Sequence, residues 1–181
     1  MSAPTWDEDL VAQLTRLADP NNIDRAALAH LRRGLDRPPD YTLGRVGWLF
    51  RRVPEWAVED AVLAAGLHAW VKGNCPHRRP KPVDGGRQKD GPNFGDAFGN
   101  GSSELKDQRQ KRFIDLLDTD EAELPFKLRQ AITLIEGQDL DWVLLLKHLN
   151  NWNDADRWVQ KQWARGFWSA AEVEAEPVTA E

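Results

Sequence analysis

Apolar side chains recur along this chain every three or four residues and nowhere alternate convincingly. Leu10, Leu14 and Leu17 keep that spacing, as do Leu28, Leu31 and Leu35, and Val159, Trp163 and Phe167. Such a period lines one face of a helix, whereas a half-buried strand needs a period of two. The sequence therefore predicts an all-α fold, a compact bundle of about eight or nine helices.

Punctuation residues set the expected boundaries. Thr5 followed by Glu8 reads as a capping box opening a helix over 6–18, which Asp19-Pro20-Asn21-Asn22 stops. Helices are next expected over 24–34, 42–52 and 54–72, with Arg37-Pro38-Pro39-Asp40 as a break and Pro54 in a first turn. Later helices are expected over 104–118, capped by Ser103, and over 124–136, ended by Gly137. Two more are expected over 141–151 and, capped by Asn153, over 154–172. Trp142, Leu145, Leu146, Leu149 and Trp152 form one helical stripe, which favours a core role for those tryptophans over base stacking. Between the two helical runs, residues 73–101 hold four prolines and repeated glycines, a long loop with one short helical turn at 94–99. These elements suit a single domain over 1–181, with sub-bundles over 5–72 and 102–172 and an acidic tail over 173–181.

The formal charge of −5 conceals an uneven distribution. All 24 Lys and Arg lie between Arg16 and Arg165. Asp7, Glu8 and Asp9 at one end and Glu172, Glu174, Glu176 and Glu181 at the other account for seven of the 29 acids. Residues 11–168 thus carry 24 bases against 22 acids, and local charge governs binding to a polyanion. The first residues, Met1-Ser2-Ala3-Pro4-Thr5, lack the basic and apolar regions of a signal peptide. No run approaches the roughly 18 apolar residues of a membrane span. A soluble, cytoplasmic protein with no membrane partner is expected.

Enzyme signatures are missing. The chain has no phosphate-binding Walker loop, no nucleophile elbow and no zinc-protease helix. The lone Cys75 rules out an internal disulfide framework and a multi-cysteine zinc site. Cys75-Pro76-His77 supplies neither four metal ligands nor a third orienting group. Gly95-Asp96-Ala97-Phe98-Gly99 follows no strand, so a dinucleotide site is not expected there. His30, His68 and His148 are scattered, and Asp118, Asp120, Glu121 and Glu123 read as a solvated acidic turn. No catalytic residue, metal or cofactor is expected.

Basic residues gather instead. Residues 25–52 hold Arg25, Arg32, Arg33, Arg37, Arg45, Arg51 and Arg52 against two acids. Arg presents a planar fork that matches phosphate oxygens. The loop adds Lys72, Arg78, Arg79, Lys81, Arg87 and Lys89 against Asp84, a composition suited to tracking a strand. Lys106, Arg109 and Arg112 fall at three-residue spacing, and Lys127 and Arg129 flank an apolar face. On the last helix Arg157, Lys161 and Arg165 form a stripe apart from Val159, Trp163 and Phe167. Salt bridges and a solvated face remain the alternative for each group.

Several segments together resemble a known family. Leu31-Arg32-Arg33-Gly34-Leu35 is similar to the basic N-terminal helix of CasB proteins, the small subunit of the type I-E CRISPR Cascade complex. Asn93-Phe94-Gly95-Asp96-Ala97-Phe98 sits where that family has a short helix after a basic loop, although Asp96 replaces a small residue. Lys111-Arg112-Phe113-Ile114-Asp115-Leu116-Leu117 resembles its Arg-Phe-x-x-Leu-Leu segment, and Glu123-Leu124-Pro125-Phe126-Lys127-Leu128-Arg129 its Leu-Pro-x-x-Leu-Arg stretch. Residues 140–152 and Trp163-Ala164-Arg165-Gly166-Phe167-Trp168 look like its closing helices.

The resemblance implies a non-catalytic subunit present in two copies beside the crRNA-bearing backbone and the large subunit. Its basic surface would hold the target and displaced DNA strands of the R-loop. By motif, Arg32, Arg33, Arg112, Lys127 and Arg129 are the implied contacts, joined by Arg78, Arg79 and Lys81 from the matching loop. Composition adds Arg109, Arg157 and Arg165. Other readings are a helical adaptor whose Arg-rich faces bind acidic proteins, a sequence-specific regulator, and, least favoured, an enzyme.

Overall fold

The computed structural model of the protein describes residues 4–81, 89–101 and 106–173. Helix α1 (Trp6–Ala18) starts as its capping box requires, the Thr5 amide donating to the Glu8 carboxylate at 3.0 Å. Helix α2 (Arg25–Gly34) is capped by Asp24, which accepts from the Ala27 amide at 2.9 Å. Helix α3 (Pro39–Val46) passes into a 3-10 turn at Gly47–Phe50, and a second such turn at Glu55–Ala57 feeds α4 (Val58–Trp70). The remaining helices are α5 (Phe94–Gly99), α6 (Lys106–Leu117), α7 (Leu124–Ile132), α8 (Trp142–Leu149) and α9 (Trp158–Val173). The described residues form no strand, only an isolated bridge between His77 and Leu140. The all-α expectation holds.

Two boundaries differ from the sequence reading. Pro39 opens α3 rather than breaking the chain, because a first-turn proline loses no intrahelical hydrogen bond. The helix expected over 42–52 therefore begins three residues early and gives way at Gly47, so Arg45 and Arg52 do not share a helix face. Asn153 does not cap α9; its amide donates to Glu121, and the helix begins only after Arg157, which takes a left-handed φ of 50°. The proposed cap Ser103, the basic Arg87 and the acidic tail beyond Val173 lie outside the described residues.

The buried apolar side chains form one continuous cluster from Leu10 to Phe167. Helix α4 lies at its centre and is apolar nearly all round, with Ala61, Ala65, Leu67 and Ala69 fully buried. The tryptophan stripe of α8 is core, as its spacing predicts. Each deeply buried indole N–H finds an acceptor: Trp142 to the Cys75 carbonyl at 2.8 Å, Trp152 to the Thr119 carbonyl at 3.1 Å, Trp163 to His148 Nδ1 at 2.8 Å. The short α5 lies directly across α9. Gly95 sits so close to the Trp163 carbonyl that a Cβ there would collide with it. That approach stacks Phe94 on Trp163, ring centroids 4.8 Å apart.

Candidate nucleic-acid interface

Helix α2, the end of α4 and α7 bring cations together around one indole. Half-buried Arg32 lines a groove of about 480 Å³ with Trp70, Lys72, Asn74 and Glu136. From α7 the Arg129 guanidinium lies 4.2 Å from the centroid of the Trp70 ring and pairs with Asp36. Arg33, the next residue of α2, is exposed. Arg32 and Lys72 thus share the groove with Trp70, and Arg129 holds a face of the same indole from α7. Two guanidinium forks and an ammonium suit phosphate oxygens, and the adjacent acids Asp36 and Glu136 temper the field.

A second grouping lies on α3. Tyr41 is flanked by two guanidiniums, Arg37 at 5.0 Å and Arg45 at 3.9 Å from its ring centroid. Arg45 also donates to the Tyr41 carbonyl at 3.0 Å. Trp70, Lys72 and this Arg–Tyr–Arg arrangement were absent from the residues singled out by motif. The four-residue spacing of Arg37, Tyr41 and Arg45 was the available signal, obscured by reading Arg37-Pro38-Pro39-Asp40 as a break.

The loop residues behave differently from a free strand-tracking segment. Arg79 is half-buried and meets Asp141 at 3.0 Å, Asp90 at 3.5 Å and Glu8 at 3.6 Å. Asp141 is completely buried; it caps α8 through the Leu144 amide at 3.0 Å and accepts from the Gly91 amide at 2.9 Å. The Arg79 charge is therefore used inside the molecule, where a buried carboxylate requires a cation. Arg78 is exposed and pairs with Asp139 at 3.2 Å. His77 Nδ1 accepts from the Trp142 amide at 3.2 Å, and burial holds its pKa below the usual imidazole value. Lys81 is exposed.

Arg109 and Arg157 also depart from the sequence reading. Arg109, expected from composition among the nucleic-acid contacts, is 4% exposed, donating to the carbonyls of Phe98 at 3.2 Å and Gly101 at 2.5 Å. It fastens the end of α5 to α6 and is inaccessible to a phosphate. Arg157 precedes α9, so it does not continue the Lys161–Arg165 stripe, and it donates to the Leu117 carbonyl at 2.5 Å. Arg165 is exposed, and Arg112 and Lys127 are half-buried. The side chains of Arg33, Lys81, Arg112, Lys127 and Arg165 form no hydrogen bond or ion pair with another described residue.

Two groups suited to chemistry are buried. Cys75 is buried, its thiol donates to the Ile135 carbonyl at 3.3 Å, and desolvation pushes its pKa up to about 12. His148 is fully buried between Trp163 and Gln162, and burial lowers its pKa to about 4. Among the described residues, no three His, Cys, Asp or Glu side chains gather to hold a metal ion. No helix among them is long and apolar enough to cross a membrane.

Comparison with known proteins bears on the family and the fold. The sequence model of the family described as CRISPR-associated protein Cse2 matches residues 27–168. The CRISPR-associated protein Cse2 of Thermus thermophilus is 42% identical over 67 residues, which span 37% of this chain and 39% of that protein. The crystal structure of CasB from Thermus thermophilus superposes with a TM-score of 0.69 at 27% identity, covering 92% of this chain and 99% of that one. A chain of a CRISPR RNA-guided surveillance complex shares the fold, with a TM-score of 0.65 at 19% identity over 94% of this chain and 98% of its own.

Proposed function

The chain belongs to the Cse2 family of CRISPR-associated proteins, and from that premise we propose that it is a non-catalytic subunit of a CRISPR RNA-guided surveillance complex. Its basic surface holds the target and displaced DNA strands of the R-loop without reading their sequence. Its partners are the backbone and large subunits of the complex and a second copy of itself.

One observation carries the reading: Arg32 and Lys72 line one groove with Trp70, whose ring also carries the Arg129 guanidinium. A groove of this kind grips a sugar–phosphate backbone by charge and shape. It offers no helix whose polar side chains are arrayed to read base edges. Modest contacts suffice, because exchange of a DNA duplex for an RNA–DNA heteroduplex is nearly balanced. Arg33, Lys81, Arg112, Lys127 and Arg165 extend the contact surface. Arg78 contributes only after release from Asp139, whereas Arg79, Arg109 and Arg157 support the fold.

The test is fluorescence anisotropy with single-stranded DNA, duplex DNA and RNA of unrelated sequences across a salt series. Affinity that ignores sequence and falls steeply with salt is expected, since each neutralised phosphate releases counterion. A sequence-specific preference would instead indicate a regulator. Binding to acidic proteins but not to nucleic acid would indicate the adaptor.

A further inference from the structure

A second cleft lies on the opposite side of the charge balance. It measures about 480 Å³ and opens between the α2–α3 corner, the first turns of α4 and the start of α7. Its apolar walls come from Leu35, Leu63, Leu124 and Trp152. Glu59, Asp60 and Glu121 line it as well, with Arg37 the one cation among the lining residues. The Arg37 guanidinium stacks on Tyr41 at 5.0 Å, and no ion pair joins it or any other described cation to these three carboxylates. Burial, reinforced by the neighbouring charges of Glu121 and Glu59, pushes the Asp60 carboxyl up to about 6. Three carboxylates face one apolar cleft with Arg37 as the single lining cation, so its lining keeps a net negative charge that favours a positive group. Asp60 and Trp70 are ten residues apart on α4, about 15 Å at the rise of a helix, so the acidic cleft and the basic groove occupy different ends of the same helix.

We propose that this cleft docks a segment of a partner protein in which apolar side chains are flanked by Lys or Arg. The apolar walls take the aliphatic anchors while Glu59, Asp60 and Glu121 pair with the flanking cations. Complementary charge of this kind fixes register and speeds encounter, and the desolvated apolar anchors hold the complex. A nucleic-acid strand is disfavoured at the cleft by the same carboxylates.

The full chain is titrated into a fluorescent 14-residue amphipathic peptide of Leu and Lys, with a Leu–Glu peptide of the same pattern as comparison. The Leu–Lys peptide is expected to bind and the Leu–Glu peptide not. The double variant Asp60→Asn/Glu121→Gln is expected to weaken binding about tenfold, some 1.4 kcal/mol. The control pair Asp115→Asn/Asp118→Asn, both exposed at the end of α6 and just past it, is expected to leave it unchanged. Equal weakening by both pairs would reduce the effect to the overall negative charge and overturn the proposal. No binding at low salt, or binding indifferent to the cleft pair, would overturn it as well.

Discussion

The guanidinium of Arg129 lies 4.2 Å above the ring of Trp70 while the same group pairs with Asp36. The indole holds the cation in place; the carboxylate competes for it with any incoming phosphate. The two neighbours therefore have opposite effects on binding. Asp36→Asn should raise affinity for single-stranded DNA two- to threefold, because Asp36 is largely exposed and its ion pair is weak. Arg129→Ala should lower affinity about fivefold and reduce the salt slope by about one counterion. Anisotropy across salt checks both. A loss of affinity in Asp36→Asn would mean that the carboxylate positions Arg129 rather than competing for it.

Exposed and buried arginines should separate cleanly. Charge reversal at Arg32, Arg33 and Arg112 together should abolish most nucleic-acid binding while circular dichroism stays unchanged, since Arg33 is exposed and the other two are only half-buried. Arg109→Ala should leave the surface field little altered but destabilise the fold by roughly 2–4 kcal/mol, because it strands the Phe98 and Gly101 carbonyls in the interior. Thermal melts beside the anisotropy titrations distinguish the two. If Arg109→Ala melts as the unsubstituted chain does, the buried contacts are not holding α5.

Helical period and caps made most of the fold legible. The 6–18 helix, the core tryptophans of α8 and the short turn at 94–99 follow from spacing alone. What spacing cannot show is which partner a charge meets across the fold. Arg79 and Arg33 look alike in the sequence, yet one meets the buried Asp141, 62 residues away, and the other meets solvent. Lys106, Arg109 and Arg112 share a three-residue spacing that does not tell an exposed contact from a buried one. Position 109 turns inward because α5 ends there with carbonyls needing a donor, and nothing within α6 announces it. Trp70 falls inside the expected 54–72 helix, where spacing does not show that its place at the end of α4 leaves one face for Arg129.

Two glycines should respond to the same substitution with opposite signs. Gly95→Ala puts a methyl against the Trp163 carbonyl, forcing α5 off α9, and should cost about 3 kcal/mol. Gly44 lies within α3, and nothing approaches within 4 Å of a Cβ built there. Gly44→Ala should stabilise by roughly 0.5–1 kcal/mol, because alanine loses less backbone freedom in a helix. Urea unfolding measures both. A neutral Gly95→Ala would mean that the α5–α9 crossing is looser than its backbone contact implies.

Acid should destabilise the protein well before its ordinary carboxylates titrate. Burial lowers His68 and His148 to about 4, against 6.5 for an unperturbed imidazole. Between those values the unfolded chain binds protons that the folded chain refuses, so stability falls as pH drops below 6.5. Asp60 acts in the opposite sense: burial raises it to about 6, so from there down to 3.8 the folded state holds the extra proton. Asp60 is partly solvated and offsets less than one of the two histidines. The net of these three groups is about one proton between pH 6 and 5, a slope of roughly 1.4 kcal/mol per pH unit that fades toward pH 4. Urea midpoints measured over pH 4–7.5 should show that fall. Asp60→Asn should steepen it, and near pH 7 should stabilise the fold by about 1 kcal/mol after allowance for solvent screening. A slope unchanged by Asp60→Asn would show that its carboxyl titrates alike folded and unfolded.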